Sequence, residues 1–237
     1  MHIGNLFKTR FFLLLFTAFL ASFAGCRQES PLPANTGPTV IAAIGDSLTW
    51  GALAFGPKAD SAGYPVILET LLRQEGYDVV VFNKGIPGEK AYQTHARFER
   101  AIADADMALL MIGVNDIIRP ESCSEPNNCR TNDHIEAIMR DAAKAGMPLL
   151  VSTLTPAQNN CARSWANEPI QAVNARLRTY AEQRNIALAD SHQAIIEHGG
   201  GALFSDCLHF TDDGYRVLAR HWYEAIIEYD LLDASAP

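Results

Sequence analysis

Of the chain's 237 residues, the first 25 read as a leader, and the roughly 210 that remain fit one α/β domain better than two, with ample length for a sizeable core. The formal charge is −8, and loss of Lys8 and Arg10 with the leader takes it to −10, which argues against a nucleic-acid partner. Five cysteines in so acidic a chain raise the question of redox compartment.

The leader comes first in chain order. Lys8 and Arg10 precede an apolar run over 11–23, too short to cross roughly 30 Å of hydrocarbon as a helix, and small residues follow, which is the pattern of an export signal. The run closes on Phe23-Ala24-Gly25-Cys26, which resembles the lipobox of bacterial lipoproteins, with phenylalanine where leucine is usual. By that resemblance residues 1–25 are a signal peptide and Cys26 is lipidated through its sulfur and its new amino terminus. Several acyl chains anchor firmly where one alone is marginal. The protein is then exported to the bacterial cell envelope, anchored to the outer membrane and facing the periplasm. The alternative is a secreted protein whose Cys26 merely lies near the cut. Residues 26–38, with Ser30, Pro31, Pro33, Asn35, Gly37 and Pro38, read as a lipidated tether.

The domain proper spans 39–233. Short apolar, β-rich runs at 39–44, 78–83, 106–112, 148–154 and 186–189 predict strands, most of them apolar on both faces as a covered sheet requires. Between them, 64–75 predicts a helix with Pro65 at its start, Gly76 at its end and a buried stripe of Val66, Leu68, Leu71 and Leu72. Helices are also predicted over 133–145, ended by Gly146, and over 166–183, with Pro169 in the first turn. A last one runs over 212–229, capped by Thr211 with Asp212 and Asp213 suiting its dipole. The alternation predicts an α/β three-layer α/β/α sandwich with a five-stranded parallel sheet and ligands at the carboxyl ends of its strands.

With Cys26 used for lipid, Cys123, Cys129, Cys161 and Cys207 form an even set in an oxidising compartment. Cys123 and Cys129 flank Ser-Glu-Pro-Asn-Asn, a turn-forming stretch that is easily closed. That leaves Cys161 to pair with Cys207, a bridge that would fasten the loop after 148–154 to the one containing Asp206 and His209. Four free buried thiols are the alternative. A zinc site is disfavoured, since no Cys-x-x-Cys pair occurs.

The chemically suggestive residues follow those strands. Gly45-Asp46-Ser47 ends the first, Asn83-Lys84-Gly85-Ile86-Pro87-Gly88 the second, and Gly113-Val114-Asn115-Asp116 the third; Asp206-Cys207-Leu208-His209 comes after the fifth. Asp206 lies about one turn ahead of His209, so its carboxylate can fold back onto Nδ1 and leave Nε2 free as a base. These four ordered blocks resemble the SGNH hydrolases, the GDSL esterases and lipases with a flavodoxin-like fold, and the match covers about 39–230. The resemblance implies Ser47 as nucleophile, His209 as general base and then acid, and Asp206 as its orienting group. It implies an oxyanion hole from the N–H groups of Ser47 and Gly85 and the amide of Asn115, with glycine at 85 admitting close backbone approach; read from the residues alone, Gly88 serves a tight turn. Asp46 and Asp116 read as structural groups that bond loop amides. His95, His134, His192, His198 and His221 read as surface or packing histidines. Trp50, Phe55, Trp165 and Phe210 stand as candidates for either an acyl pocket or core.

No metal or organic cofactor is implied. Gly-Asp-Ser-Leu-Thr-Trp-Gly with the short second block is similar to bacterial lysophospholipase and thioesterase-like members, which implies a serine esterase acting on small esters or acyl lipids. Against this, the polar loop 155–165 also suits a sugar, so a carbohydrate O-acetyl esterase is the alternative, and an acyltransferase acting on envelope polysaccharide a further one.

Overall fold

The computed structural model describes residues 37–53, 63–120 and 130–232. The expectations for the leader, for Cys26, for most of the tether, for Phe55 and for the pairing of Cys123 with Cys129 lie outside these residues.

Five apolar runs form β1 (Thr39–Gly45), β2 (Val79–Gly85), β3 (Met107–Met111), β4 (Leu149–Ser152) and β5 (Ala187–Ala189). They pair in the order β2-β1-β3-β4-β5, all parallel, the doubly wound order of a flavodoxin-like sheet. The helices are α1 (Ser47–Trp50), α2 (Tyr64–Gln74), α3 (Ala91–Ala101), α4 (Val114–Ile118), α5 (Thr131–Ala145), α6 (Asn167–Arg184), α7 (Ser191–Glu197) and α8 (Asp212–Glu228).

Because side chains alternate along a strand, each inner strand feeds two cores. Ile41 and Ala43 of β1 and Met107, Leu109 and Met111 of β3 face one layer, where Tyr64, Leu68 and Leu72 of α2 meet Leu218, Trp222 and Ile226 of α8. The rings of Tyr64 and Trp222 stack with centroids 5.6 Å apart. Ala42, Ile44, Ala108 and Leu110 face the other layer, filled by Phe98 of α3, Ile135, Ile138 and Met139 of α5 and Leu177 of α6. Each such large side chain, once fully buried, contributes about 1.5–3 kcal/mol.

The buried stripe of α2 differs from expectation. It runs Tyr64, Leu68, Leu72, spaced by four, while Val66 is exposed and Leu71 only partly buried. Val66 is two positions from Tyr64 and from Leu68, about 200° around a helix from each, so the three cannot share one face. The sequence reading also lacked α1, α3, α4 and α7. The buried face of α3 is only Ala91, Thr94 and Phe98, too thin a stripe to register as periodic.

Candidate active site

In register, Gly45 of β1 lies level with Gly85 of β2 and Met111 of β3, so the loops after these three strands leave the sheet at one height. Ser47 follows immediately as the first residue of α1, turned into place by Asp46, whose Oδ1 accepts from the Leu48 N–H at 2.9 Å. Gly45 tolerates no side chain here: a Cβ would lie 2.3 Å from both the Met111 carbonyl oxygen and Thr49 Oγ1.

The opposite wall is the loop between a 3-10 turn, Gly200–Leu203, and α8. A bridge between Phe204 and Phe210 closes it, the Ser205 N–H donates to the His209 carbonyl at 2.8 Å, and Thr211 caps α8 by accepting from the Gly214 N–H at 3.2 Å. Asp206 Oδ1 accepts from the backbone N–H groups of Leu208 and His209, both at 2.7 Å. Its Oδ2 lies 2.8 Å from His209 Nδ1, and His209 Nε2 lies 2.9 Å from Ser47 Oγ. With Nδ1–H donating to the carboxylate, Nε2 keeps a lone pair directed at the serine hydroxyl. Residues 162 positions apart thus meet in one continuous hydrogen-bonded relay.

Cys161 and Cys207 form a disulfide with Cα atoms 5.6 Å apart. The Gln158 N–H donates to the Cys207 carbonyl at 3.0 Å beside it. The loop after β4 and the histidine loop are therefore joined both covalently and by backbone. Closing 46 residues by a cross-link restrains the unfolded chain by about 4 kcal/mol in the chain-entropy picture.

The structure redistributes the glycines of the second block. Gly85 N–H donates to Asn83 Oδ1 at 3.0 Å, and Gly85 is absent from the cavity beside Ser47. The close approach made at Gly85 is to α1: a Cβ there would lie 2.3 Å from Trp50 N and 2.8 Å from the Asp46 carbonyl oxygen. Gly88, with φ +79°, lines the cavity together with Ser47, Asn115 and His209. Among the described residues neither the Ser47 nor the Gly88 N–H has an acceptor. The expectation of Gly85 as an oxyanion donor is corrected accordingly: the glycine left free to donate toward the cavity is Gly88.

Asn115 is buried at the start of α4, its amide donating to the Glu89 carbonyl at 3.1 Å and to Asp46 Oδ2 at 3.3 Å. Glu89 is itself buried and bound by Arg97 at 2.7 and 2.5 Å and by the Thr94 hydroxyl at 2.8 Å. Asp116 Oδ2 accepts from the Ala91 N–H at 3.0 Å. Burial, opposed by the Leu48 N–H and reinforced by nearby Asp116 and Glu89, pushes the Asp46 carboxyl up to about 7. Asp116 is likewise raised to about 6, chiefly by burial. Asp206 goes the other way. Burial would raise it, but hydrogen bonds from the His209 ring and the backbone of His209 and Leu208 outweigh that and hold it below the usual carboxylate range.

Sequence reasoning missed three groups that set this geometry. Glu89 and Arg97 hold the segment carrying Gly88, and the Tyr215 hydroxyl of α8 donates to the Ala52 carbonyl at 2.7 Å, tying the helix that follows the histidine loop to the residues just after α1. Glu89 and Arg97 are eight apart with only an ordinary charge pattern, so no sequence signal marks them. Of the aromatic candidates, Phe210 is fully buried against Phe204 and Tyr215. Trp165 is 55% exposed, and neither it nor Trp50 lines the cavity. That cavity, about 290 Å³, is walled by Leu48, Val114, Ile118 and Leu208, with Arg119 and Arg163 also on its lining.

Among solved structures the chain is similar to a catalytic mutant of Axe2, an acetylxylan esterase from Geobacillus stearothermophilus, at 21% identity and TM-score 0.68, covering 80% of this chain and 95% of that one. It is also similar to a putative lipolytic protein of the G-D-S-L family from Desulfitobacterium hafniense, at 19% identity and TM-score 0.63, covering 79% and 99%. The acetyl xylan esterase AlAXEase aligns at 21% identity and TM-score 0.64, with the same coverage. No curated protein matches the sequence. The sequence matches the GDSL-like lipase/acylhydrolase family over residues 43–217, most of its length and all four blocks, and the chain therefore belongs to that family of SGNH hydrolases, as a carboxylic ester hydrolase.

Proposed function

We propose that the chain hydrolyses short-chain carboxylic esters of polar alcohols through an acyl-serine at Ser47. The single observation that carries the mechanism is the relay from Asp206 Oδ2 through His209 to Ser47 Oγ, with spacings of 2.8 and 2.9 Å. As Ser47 attacks the ester carbonyl, its proton passes to Nε2, and Asp206 stabilises the imidazolium. The carbonyl oxygen, now negative, receives the N–H groups of Ser47 and Gly88 and one N–H of Asn115, which gives up its longer bond to Asp46. The histidine then protonates the departing alcohol, and water attacks the acyl-serine with the same imidazole as base.

Acyl size is read from the cavity. At about 290 Å³ it lies at the bottom of the range for small-molecule pockets, and it must admit part of the alcohol as well as the acyl group. Similarity of fold to acetylxylan esterases supports a short acyl group on a polyhydroxy alcohol. The apolar wall of Leu48, Val114, Ile118 and Leu208 favours a second reading, a lysophospholipase or thioesterase of broad acyl range. A chain-length series of p-nitrophenyl esters separates them: kcat/KM highest at C2–C4 supports the first, and a rise toward C8 the second. Fluorophosphonate labelling, present in the wild type and absent in Ser47→Ala, tests the nucleophile, and turnover of that variant is expected to fall about 10⁶-fold.

The same proposal places the enzyme in the cell envelope, anchored by lipid at Cys26. The export-type leader and the Cys161–Cys207 disulfide support it, since such bonds persist in oxidising compartments. Palmitate label incorporated by the wild type and lost in Cys26→Ser is the expected result, and equal labelling of the two would overturn it.

A further inference from the structure

The described lining of the cavity includes the residues Arg119, Arg163 and His209 and no Asp or Glu, although the chain carries a net charge of −8. Asp206 is turned onto the far nitrogen of His209, and Asp46 is held beneath by the Leu48 N–H. The guanidinium of Arg163 makes no ion pair and no hydrogen bond among the described residues, whereas Arg97, Arg176 and Arg178 are each bound to carboxylates. Arg163 is a partly buried residue whose guanidinium has no acceptor among the described residues, and beside a reaction centre such a group is a recognition element awaiting an anion.

Its location says which part of the substrate that anion belongs to. Arg163 lies two residues from Cys161, and Cys207, two residues from His209, is the other end of the disulfide. The Arg163 N–H donates to Cys161 Sγ at 3.3 Å. The loop itself is pinned further back: Asn174 exchanges two 2.8 Å bonds with the backbone of Leu154, and Asn167 bonds the N–H and carbonyl of Ala157 at 2.8 and 3.0 Å. Arg163 therefore belongs to the loop fastened to the histidine loop, on the histidine side of the cleft. In the mechanism above, the histidine side is where the alcohol departs, because it must take its proton from Nε2.

We infer that Arg163 is a specificity residue that binds a carboxylate or phosphate group on the leaving alcohol, so that the preferred substrates are acyl esters of anionic alcohols. The inference rests on the acyl-serine reading of this site and adds the chemical class of the alcohol. A planar guanidinium pairs with either anion through two parallel N–H bonds and raises the local concentration of such substrates in an otherwise acidic protein.

Three acetate esters with closely related phenolic leaving groups test it: 4-acetoxybenzoate, 4-acetoxyphenyl phosphate and the neutral methyl 4-acetoxybenzoate. The readout is the ratio of kcat/KM for each anionic ester to that for the methyl ester, which cancels any general effect of substitution. In Arg163→Gln the ratio is expected to fall about 10- to 100-fold, mainly through KM, for at least one anionic ester, and Arg163→Lys should recover part of it. A fall confined to the benzoate assigns a carboxylate, and one confined to the phosphate ester assigns a phosphate. In the wild type the ratio should also shrink as ionic strength rises. Ratios within about twofold of wild type for both anionic esters in Arg163→Gln would overturn the inference. Ser47→Ala separates the two levels. If it hydrolyses the methyl ester as fast as wild type, the reading of the site has failed; if it is inactive while the Arg163→Gln ratios do not move, only the role of Arg163 has.

Discussion

The loop that presents Ser47 and the loop that presents His209 meet at one hydrogen bond but are stabilised by different physics. On the serine side the supports are buried. Asp46, Glu89, Asn115 and Asp116 form a sequestered polar web beneath α1, and Gly45 and Gly85 sit where a Cβ would strike neighbouring atoms at 2.3 Å. On the histidine side the supports lie near solvent. Asp206 is 43% exposed and holds its loop by short local bonds, and a disulfide does the work that packing does elsewhere. Carboxylates respond accordingly: burial raises Asp46 to about 7, while hydrogen bonds to His209 and its backbone overcome burial and lower Asp206. A buried web resists displacement but leaves its charges costly, whereas an exposed, well-bonded loop keeps its charge at little cost and needs a tether.

The sharpest way to break that contrast is at Asp206, which performs two tasks with two oxygens. Asp206→Asn keeps an oxygen for the Leu208 and His209 N–H groups but cannot accept from Nδ1, so turnover should fall about 10⁴-fold with the melting temperature nearly unchanged. Asp206→Ala should lose both activity and some stability. Equal melting behaviour of the two variants would show that the loop does not depend on these bonds.

On the serine side, activity and stability should separate by residue. Asn115→Ala is expected to lose about 10²- to 10³-fold in kcat. Gly85→Ala should instead lower stability by about 1–3 kcal/mol, since its Cβ would collide with Trp50 N, and denaturant unfolding measures it. If Gly85→Ala left stability intact and removed only turnover, the assignment of the donor to Gly88 would be wrong.

The smallest effect is on pH dependence. Asp46, raised in the folded protein from an unfolded value of ~3.9, favours folding fully below that value, and its contribution is lost as pH rises through about 7. Asp206, lowered on folding, contributes above ~3.9 and loses its contribution as pH falls through its folded value. The stability of the wild type relative to Asp46→Asn should therefore decline between pH 5 and pH 8. A difference that stayed flat or grew over this interval would remove the buried-charge account of the serine side.

Much of this architecture is written locally. The five strands are continuous apolar runs, and each of the first three ends on a glycine or polar break, so their number and their places along the chain can be read without coordinates. The pairing of Cys161 with Cys207 is what remains in the sequence once Cys123 is given to Cys129, and the structure contains it. The choice between Gly85 and Gly88 cannot be read this way, because both are glycines in one short turn. Only the register of β2 against β1, which delivers Gly85 to α1, separates them. Tyr215 reads as one more apolar position of α8, and its bond to Ala52, 163 residues away, exists only once both layers are assembled. Long-range partners of this kind carry no local period or spacing, which is why they escape a reading of the chain.

The Cys161–Cys207 bond joins two loops at the rim and no element of the sheet. A preparation made in a reducing cytosol, or kept in buffer with a thiol, would therefore show native helix and strand content by circular dichroism and still hold its imidazole loosely. For this enzyme a correct far-ultraviolet spectrum is no assurance of a competent sample; titration of free thiols is the appropriate quality check.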